Sequence, residues 1–140
     1  MPPQLPLTAG LLLFLAIPQA SAQIFRCELQ DQPVEWIQVS ADGGWRDWGV
    51  DDWEPDYCGQ QRESLHLVEH WQCHRGRQRH VLIYTATDRH NGGVYQHTET
   101  LNLADGRFRR RINEGTHVPD GGKRLRLEFN GHCVAMERGP

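Results

Sequence analysis

The stretch VYQHTETLNLADGRFRRRI, residues 94–112, contains two short segments rich in β-branched, leucine and aromatic side chains. The three residues Ala104-Asp105-Gly106 separate these segments. Segments of this composition favour β-strands, and a Gly-containing break of this length is typical of the turn between two strands. The stretch therefore predicts two neighbouring strands, over residues 94–103 and 107–112.

The same pattern continues along the chain after residue 22. Strand-like segments recur about every ten residues, and Gly, Asn, Asp and Pro separate them. The predicted strands cover residues 24–29, 34–39, 64–74, 79–87, 94–103, 107–112, 124–129 and 132–136. We expect one all-β domain over residues 23–140, an antiparallel meander of about eight strands that forms a small barrel or a two-sheet sandwich.

A tight turn is predicted at Asn130-Gly131, between RLRLEF and HCVAM. Asn-Gly accepts the positive φ angles of a two-residue type I′ turn. In the first of these segments Leu125, Leu127 and Phe129 alternate with charged residues, as expected for a half-buried antiparallel strand. The pattern predicts a hairpin whose two strands end and begin at this pair.

The N-terminus is predicted to be a secretory signal peptide, residues 1–22, cleaved after Ala22. Its apolar run LLLFLAI is followed by Pro18 and then by small residues. The run is much shorter than the ~20 residues of a membrane-spanning helix, and no cysteine lies at the cleavage site for lipid attachment. We expect a secreted or periplasmic protein without a membrane-inserted segment.

Four cysteines, Cys27, Cys58, Cys73 and Cys133, remain after the predicted cleavage. An even number of cysteines in a small exported chain indicates disulfides, here two. Spacing does not choose among the three possible pairings. We favour Cys27 with Cys133 and Cys58 with Cys73, because the first joins the ends of the domain and the second fastens a Trp-rich segment. The alternative is a zinc site with four thiolates, but no C-x-x-C pair is present.

Charge is unevenly distributed along the chain. Residues 23–69 contain 11 Asp or Glu and 3 Arg, whereas residues 70–140 contain 12 Lys or Arg and 7 acids, which gives net charges of −8 and +5 and the total of −3. The two halves either form opposite faces suited to a charged partner or neutralise each other in the fold. Nucleic-acid binding is not expected, because the arginine run near residue 110 is short and the pI of about 6.2 is acidic.

The segment GGWRDWGVDDWEPDYC, residues 43–58, concentrates aromatic and acidic side chains. One interpretation buries the rings in the core, where large aromatics of small domains usually lie. The other makes the segment a recognition surface for a basic protein partner, since Trp and Tyr often dominate binding energies. Stacking of a sugar on the tryptophans is a weaker alternative. A calcium loop is another, and the acids lack EF-hand spacing. The predicted partner-binding residues are Trp45, Trp48, Asp51, Asp52, Trp53 and Tyr95.

The sequence His66-Leu67-Val68-Glu69-His70 matches the H-x-x-E-H pattern of inverted zinc metallopeptidases. That pattern needs a helix, on which the two His face one metal ion and the Glu polarises its bound water. Here the flanking residues predict a strand, so we expect these histidines on an exposed face. No catalytic residue, cofactor or metal is therefore assigned, and a zinc hydrolase is kept only as an alternative.

Three short elements resemble the periplasmic C-type lysozyme inhibitors: Phe25-Arg26-Cys27, the segment NGGVY at residues 91–95, and Gly131-His132-Cys133. That family consists of small exported β-barrels with a disulfide between the terminal strands and a central S-G-x-x-Y motif. Gly92 and Tyr95 match the motif, whereas Asn91 stands at its Ser. The family's cleft-entering Lys has no counterpart here. The resemblance implies inhibition of a cell-wall hydrolase, with Tyr95 among the contacts.

Together these features favour a non-enzymatic binding protein, and we expect a bacterial periplasmic inhibitor or immunity-type protein that acts on a cell-wall hydrolase or a toxin. The bacterial origin is inferred from the resemblance and from the lack of an N-x-S/T sequence. The alternatives are the zinc hydrolase and a structural protein of the cell envelope.

Overall fold

A computed structural model describes residues 22–115 and 125–140, so residues 1–21 of the predicted signal peptide lie outside the described residues. This part of the chain contains nine β-strands and no helix, and therefore no helix that could cross a membrane. The all-β prediction is confirmed. The strands are β1 (Gln23–Leu29), β2 (Glu35–Val39), β3 (Trp45–Asp47), β4 (Gln61–Glu63), β5 (Leu67–Arg75), β6 (Arg79–Asp88), β7 (Val94–Asn102), β8 (Arg107–Gly115) and β9 (Leu125–Met136).

All nine strands form one curled antiparallel sheet in the order β3-β2-β1-β9-β8-β7-β6-β5-β4. Consecutive strands are neighbours within β1 to β3 and within β4 to β9, as in a meander. The two series join because β9 pairs with β1. The sheet curls into a half-barrel, and β3 and β4 are its two edge strands.

The residues between the edge strands, 48–60, run across the open side of the curl, and we call them the closing segment. The Tyr57 amide donates a hydrogen bond to the Trp45 carbonyl on β3 (N···O 2.9 Å). The Gly59 amide donates to the Trp71 carbonyl on β5 (2.9 Å), and the Trp71 amide donates back to the Gln60 carbonyl (2.9 Å). Backbone groups on both sides of the opening are thereby paired, so these edges are covered rather than left free.

The core lies at one end of the curl and is built around Trp45, which is fully buried. Its ring centroid lies 5.4 Å from that of His80 and 6.5 Å from that of Phe108. Ile37 and Leu101 are fully buried as well. Full burial of side chains of this size stabilises a fold by about 1.5–3 kcal/mol each, so this cluster contributes much of the driving force for folding.

Both favoured disulfides are present. Cys27 on β1 lies directly opposite Cys133 on β9, with a Cα–Cα distance of 4.0 Å. Cys58 of the closing segment is bonded to Cys73 on β5, with a Cα–Cα distance of 5.2 Å. The first bridge links strands 106 residues apart, and the second holds the closing segment on the sheet. The described cysteines contain no free thiol, so the four-thiolate zinc site is excluded in this structure.

The hairpin predicted at Asn130-Gly131 is wrong, because β9 continues through both residues. Residues 125–132 pair with β8, and residues 131–136 pair with β1. Gly131 lies where the strand passes from one neighbour to the other. A Cβ at this position would lie 2.1 Å from the Glu28 carbonyl oxygen, so glycine is required by a close approach of two backbones. Asn130 does not have a positive φ angle.

Two further strands, β3 and β4, lie where the sequence predicted none. Each has three residues, and the β4 sequence Gln-Arg-Glu is polar and exposed. Neither segment has the apolar alternation that marks a strand. They are strands because of backbone pairing with β2 and β5, which a composition-based prediction does not detect.

Two substitutions distinguish a continuous β9 from a hairpin. Gly131→Ala is expected to lower the free energy of unfolding by about 2–4 kcal/mol, because the new methyl group clashes with the backbone of β1. Asn130→Val, on an exposed extended residue, is expected to change it by less than about 1 kcal/mol. Urea unfolding measures both. The control is Gly76→Ala, whose Cβ would meet only the Arg79 carbonyl at 3.7 Å. A larger effect of Asn130→Val than of Gly131→Ala would support the predicted hairpin and contradict the continuous strand.

Candidate ligand-binding site

The curled sheet and the closing segment border a cavity of about 690 Å³ that is partly open to solvent. This volume is within the range of about 300–1,000 Å³ that is usual for small-molecule sites. The wall combines aromatic side chains with ionisable ones, namely Trp36, Trp48, Tyr57, Trp71, Tyr84, Glu35, Asp47, Arg62, His97, Glu99 and Arg110.

Side chains point alternately inward and outward along β7 and β8, and this alternation brings charged side chains to the cavity. His97 and Glu99 lie four and two residues before the fully buried Leu101 on β7, so all three side chains face inward. On β8, Arg110 is in phase with the buried Phe108. Glu99 and Arg110 are also directly opposite each other across the two strands. Inward positions that normally hold apolar residues are here occupied by charges.

Arg110 joins two of the carboxylates. Its Nη1 donates to Glu35 Oε1 (2.7 Å) and its Nη2 donates to the other oxygen of the same carboxylate, a bidentate pair. Its Nε donates to Glu99 Oε1 (2.8 Å), which also lies 3.3 Å from His97 Nε2. Burial alone would raise the pKa of Glu99, but His97 and Arg110 hold that pKa below its usual range. Burial likewise opposes the charge of Arg110, yet the two carboxylates raise its pKa.

Asp47 is the third carboxyl group of the cavity and is in a different state. Burial raises its pKa to about 7, and the neighbouring Glu99 and Glu35 charges add to this shift. The Trp45 indole nitrogen donates to Asp47 Oδ1 (3.0 Å), and Arg110 also favours the ionised form, but these effects are smaller. No ion pair between described residues includes Asp47. Near neutral pH this group is therefore poised between its protonated and its ionised form.

An aromatic wall stands opposite these charges. Trp71 stacks nearly parallel with Tyr57 (centroids 6.3 Å apart, 13° between planes) and lies 4.9 Å from Tyr84. The guanidinium carbon of Arg62 lies 5.1 Å from the Trp71 ring centroid, a cation–π contact. The Tyr84 hydroxyl donates a hydrogen bond to Glu69 Oε1 (O···O 2.6 Å). Burial raises the pKa of Tyr57 to about 12 and also raises that of Tyr84, so both phenols are neutral.

Trp45 does not belong to a partner-binding surface, although the sequence predicted that it does. Its side chain is 0% exposed and packs between His80 and Phe108. For this residue the core interpretation of the Trp-rich segment holds. A partner could reach the ring only by unfolding the core.

The other predicted partner-binding residues are at least partly accessible, at separate places. Trp48 is half-buried, lines the cavity, and meets the Trp53 ring edge-on at 5.2 Å. Asp51 and Asp52 are exposed in the turn between these two tryptophans. Tyr95 is half-buried on β7, with its ring 5.8 Å from that of Tyr84. The Trp-rich segment therefore places one ring in the core and two rings near the surface.

The H-x-x-E-H pattern does not form a zinc site. Glu69 and His70 are consecutive residues of strand β5 and so lie on opposite faces of the sheet. Glu69 accepts the Tyr84 hydrogen bond, whereas His66 precedes the strand and contacts His90 (Nδ1···Nε2 2.8 Å). These positions exclude the shared metal that the helical motif requires.

Cys58, Cys73 and His80 place their ligand-type atoms within 4.8 Å of one another. The two sulfur atoms are bonded to each other, so they offer no thiolates to a metal ion. The His80 ring is fully buried, and burial lowers its pKa. His80 is therefore a neutral imidazole that packs against Trp45 and the disulfide, and it is not a metal ligand.

Comparisons with protein-family models, with characterised proteins and with solved structures find no match to this chain. The function is therefore argued from the residues of the cavity.

The isosteric variant Asp47→Asn tests the state of this carboxyl group. The group has a raised folded pKa, so between about pH 4 and pH 7 the folded protein holds a proton that the unfolded chain has released. The wild type should lose about 2–3 kcal/mol of stability between pH 5 and pH 8 relative to the variant. Urea unfolding at the two pH values measures this. Asp31→Asn, an exposed control, should retain the wild-type dependence, and an identical dependence for wild type and Asp47→Asn would contradict the assignment.

Proposed function

We propose that this chain is an exported, non-enzymatic binding protein that receives its ligand in the cavity between the curled sheet and the closing segment. The observation that carries the proposal is the cavity itself, which has an aromatic wall and a small set of positioned ionisable groups. The two disulfides agree with an oxidising compartment and so support export.

Glycosidases also use two carboxyl groups in one cavity. Here the pKa of Asp47 is raised and the pKa of Glu99 is lowered, so the two groups differ as an acid and a base of such an enzyme would. The contacts of Glu99 favour binding instead. One of its oxygens accepts from Arg110 and lies 3.3 Å from His97, and the residue is only 3% exposed. A carboxylate so enclosed is poorly placed to attack a substrate or to activate water.

The inhibitor or immunity-type function expected from the sequence is one form of this proposal, in which a side chain of a partner protein enters the cavity. The closing segment favours such a partner. Trp48 belongs both to the cavity wall and to the surface, and Gly49 donates a hydrogen bond to the Asp52 carbonyl (2.8 Å). The exposed carboxylates of Asp51 and Asp52 therefore lie close to the cavity wall and would attract a basic partner.

The proposal is tested with oxidised mature protein and five small probes: choline, phenylbutylamine, phenylbutyrate, phenylbutanol and glucose. Three tryptophans line the cavity, so their fluorescence reports occupancy. At least one probe should give a saturable change. Val34→Trp is expected to abolish that change, because Val34 is 44% exposed on the cavity wall and a larger ring there fills the space.

The matched control is Val50→Trp, because Val50 is 92% exposed and does not line the cavity. This variant should bind as the wild type does, and both variants should unfold within about 1 kcal/mol of it. Equal saturable binding by Val34→Trp and the wild type, or no saturable change with any of the five probes, would overturn the proposal.

A further inference from the structure

We propose that the cavity selects an organic cation, an ammonium or guanidinium group on an apolar stem, held between Asp47 and the aromatic wall of Tyr57, Trp71 and Tyr84. This inference rests on the proposed binding function and names the class of ligand. The same chemistry occurs in free amines and in the Lys and Arg side chains of a protein partner.

The balance of charge in the cavity favours a cation. Three carboxyl groups, those of Glu35, Asp47 and Glu99, line the cavity together with two guanidinium groups, the buried one of Arg110 and the exposed one of Arg62. Arg110 already donates to two of them through all three of its nitrogen atoms. At Arg110, an anionic ligand would have to displace one of these carboxylates. A cation instead meets Asp47, which makes no ion pair with the described residues.

The aromatic wall is suited to the same class of ligand. The faces of aromatic rings attract cations, most strongly that of Trp. Arg62, an exposed residue, already places its guanidinium 5.1 Å from the centroid of the Trp71 ring. This contact within the protein marks a position where an incoming ammonium or guanidinium group would be stabilised. The stem of the ligand would lie along the rings of Tyr57 and Tyr84.

Ligand binding should be linked to proton release from Asp47. The groups that act on this carboxyl group come from several elements: the Trp45 indole, which donates to it, Glu35 on β2, Tyr57 of the closing segment, Glu99 on β7 and Arg110 on β8. The two carboxylates and burial keep it protonated up to a pKa of about 7. A cation beside it favours the ionised form, so affinity should rise with pH through this range.

Isothermal titration of oxidised mature protein with phenylbutylamine tests the inference, with phenylbutyrate and phenylbutanol as probes that have the same stem and a different head group. The amine should bind and the other two should not. In buffers of different ionisation enthalpy, binding should release about 0.9 protons near pH 6 and about 0.1 near pH 8.

Asp47→Asn should weaken amine binding by at least about 30-fold and abolish proton release, since it removes the buried charge that pairs with the amine. The matched control is Asp31→Asn, which removes the same charge from an exposed loop residue outside the cavity and should bind as the wild type does. Equal amine affinity of Asp47→Asn and wild type would overturn the inference.

The source of the cation is distinguished by a second titration, with the capped tripeptide Ala-Lys-Ala. Tighter binding of the tripeptide than of the free amine assigns the cavity to a side chain of a protein partner, and the reverse order assigns it to a small amine. Either order supports the inference. Equal or tighter binding of phenylbutyrate or phenylbutanol would overturn the cation selectivity and leave the proposed binding function intact.

Discussion

The architecture of this domain depends on how its sheet avoids an open side. Edge strands of a sheet expose backbone N–H and C=O groups, which favour pairing with other chains. Here the closing segment donates a backbone hydrogen bond to Trp45 on one side of the opening, and it donates to and accepts from Trp71 on the other side. Cys58 fixes the segment covalently to β5. Without this closure the inward face of the sheet would be a groove in water. With it, the same face lines a partly open cavity in which charges are partly removed from solvent.

Burial determines which ionisable groups of the cavity are paired and which are protonated. Burying ionised groups is unfavourable unless they are paired and hydrogen-bonded, and the Arg110 cluster meets this condition with two carboxylates. Asp47 makes no ion pair with the described residues, and burial raises its pKa, with the Glu99 and Glu35 charges adding to this shift. An apolar filling of the same space would stabilise a small domain better. Polar groups kept at such a cost in stability are typical of functional sites, which is why we propose a binding role for the cavity.

Much of the fold could be predicted from sequence, since six of the nine strands follow segments of β-prone residues broken by turn residues. The error at Asn130-Gly131 has a specific cause. In a hairpin, Phe129 would face inward together with His132 and Val134, whereas in a continuous strand it faces inward with Cys133. The disulfide to Cys27 requires the second arrangement, and Val134 is 54% exposed as a result. Local turn preference was a weaker constraint than this long-range pairing.

The candidate site was less predictable. Attention to aromatic content identified Trp48 but missed Asp47, Glu99 and Arg110, which are ordinary charged residues in the sequence. A usable signal existed, because Glu99 is in phase with Leu101 and Arg110 with Phe108, so each charge occupies an inward position of a strand. The pairing of Arg110 with Glu35, 75 residues away, had no local signal.

The pairing of β1 with β9 also matters during biosynthesis. In a chain that stops before β9, β1 still pairs with β2, but its other side is unpaired and Cys27 is a free thiol. In an oxidising compartment that thiol is available for cross-linking, which chemically distinguishes incomplete molecules from finished ones.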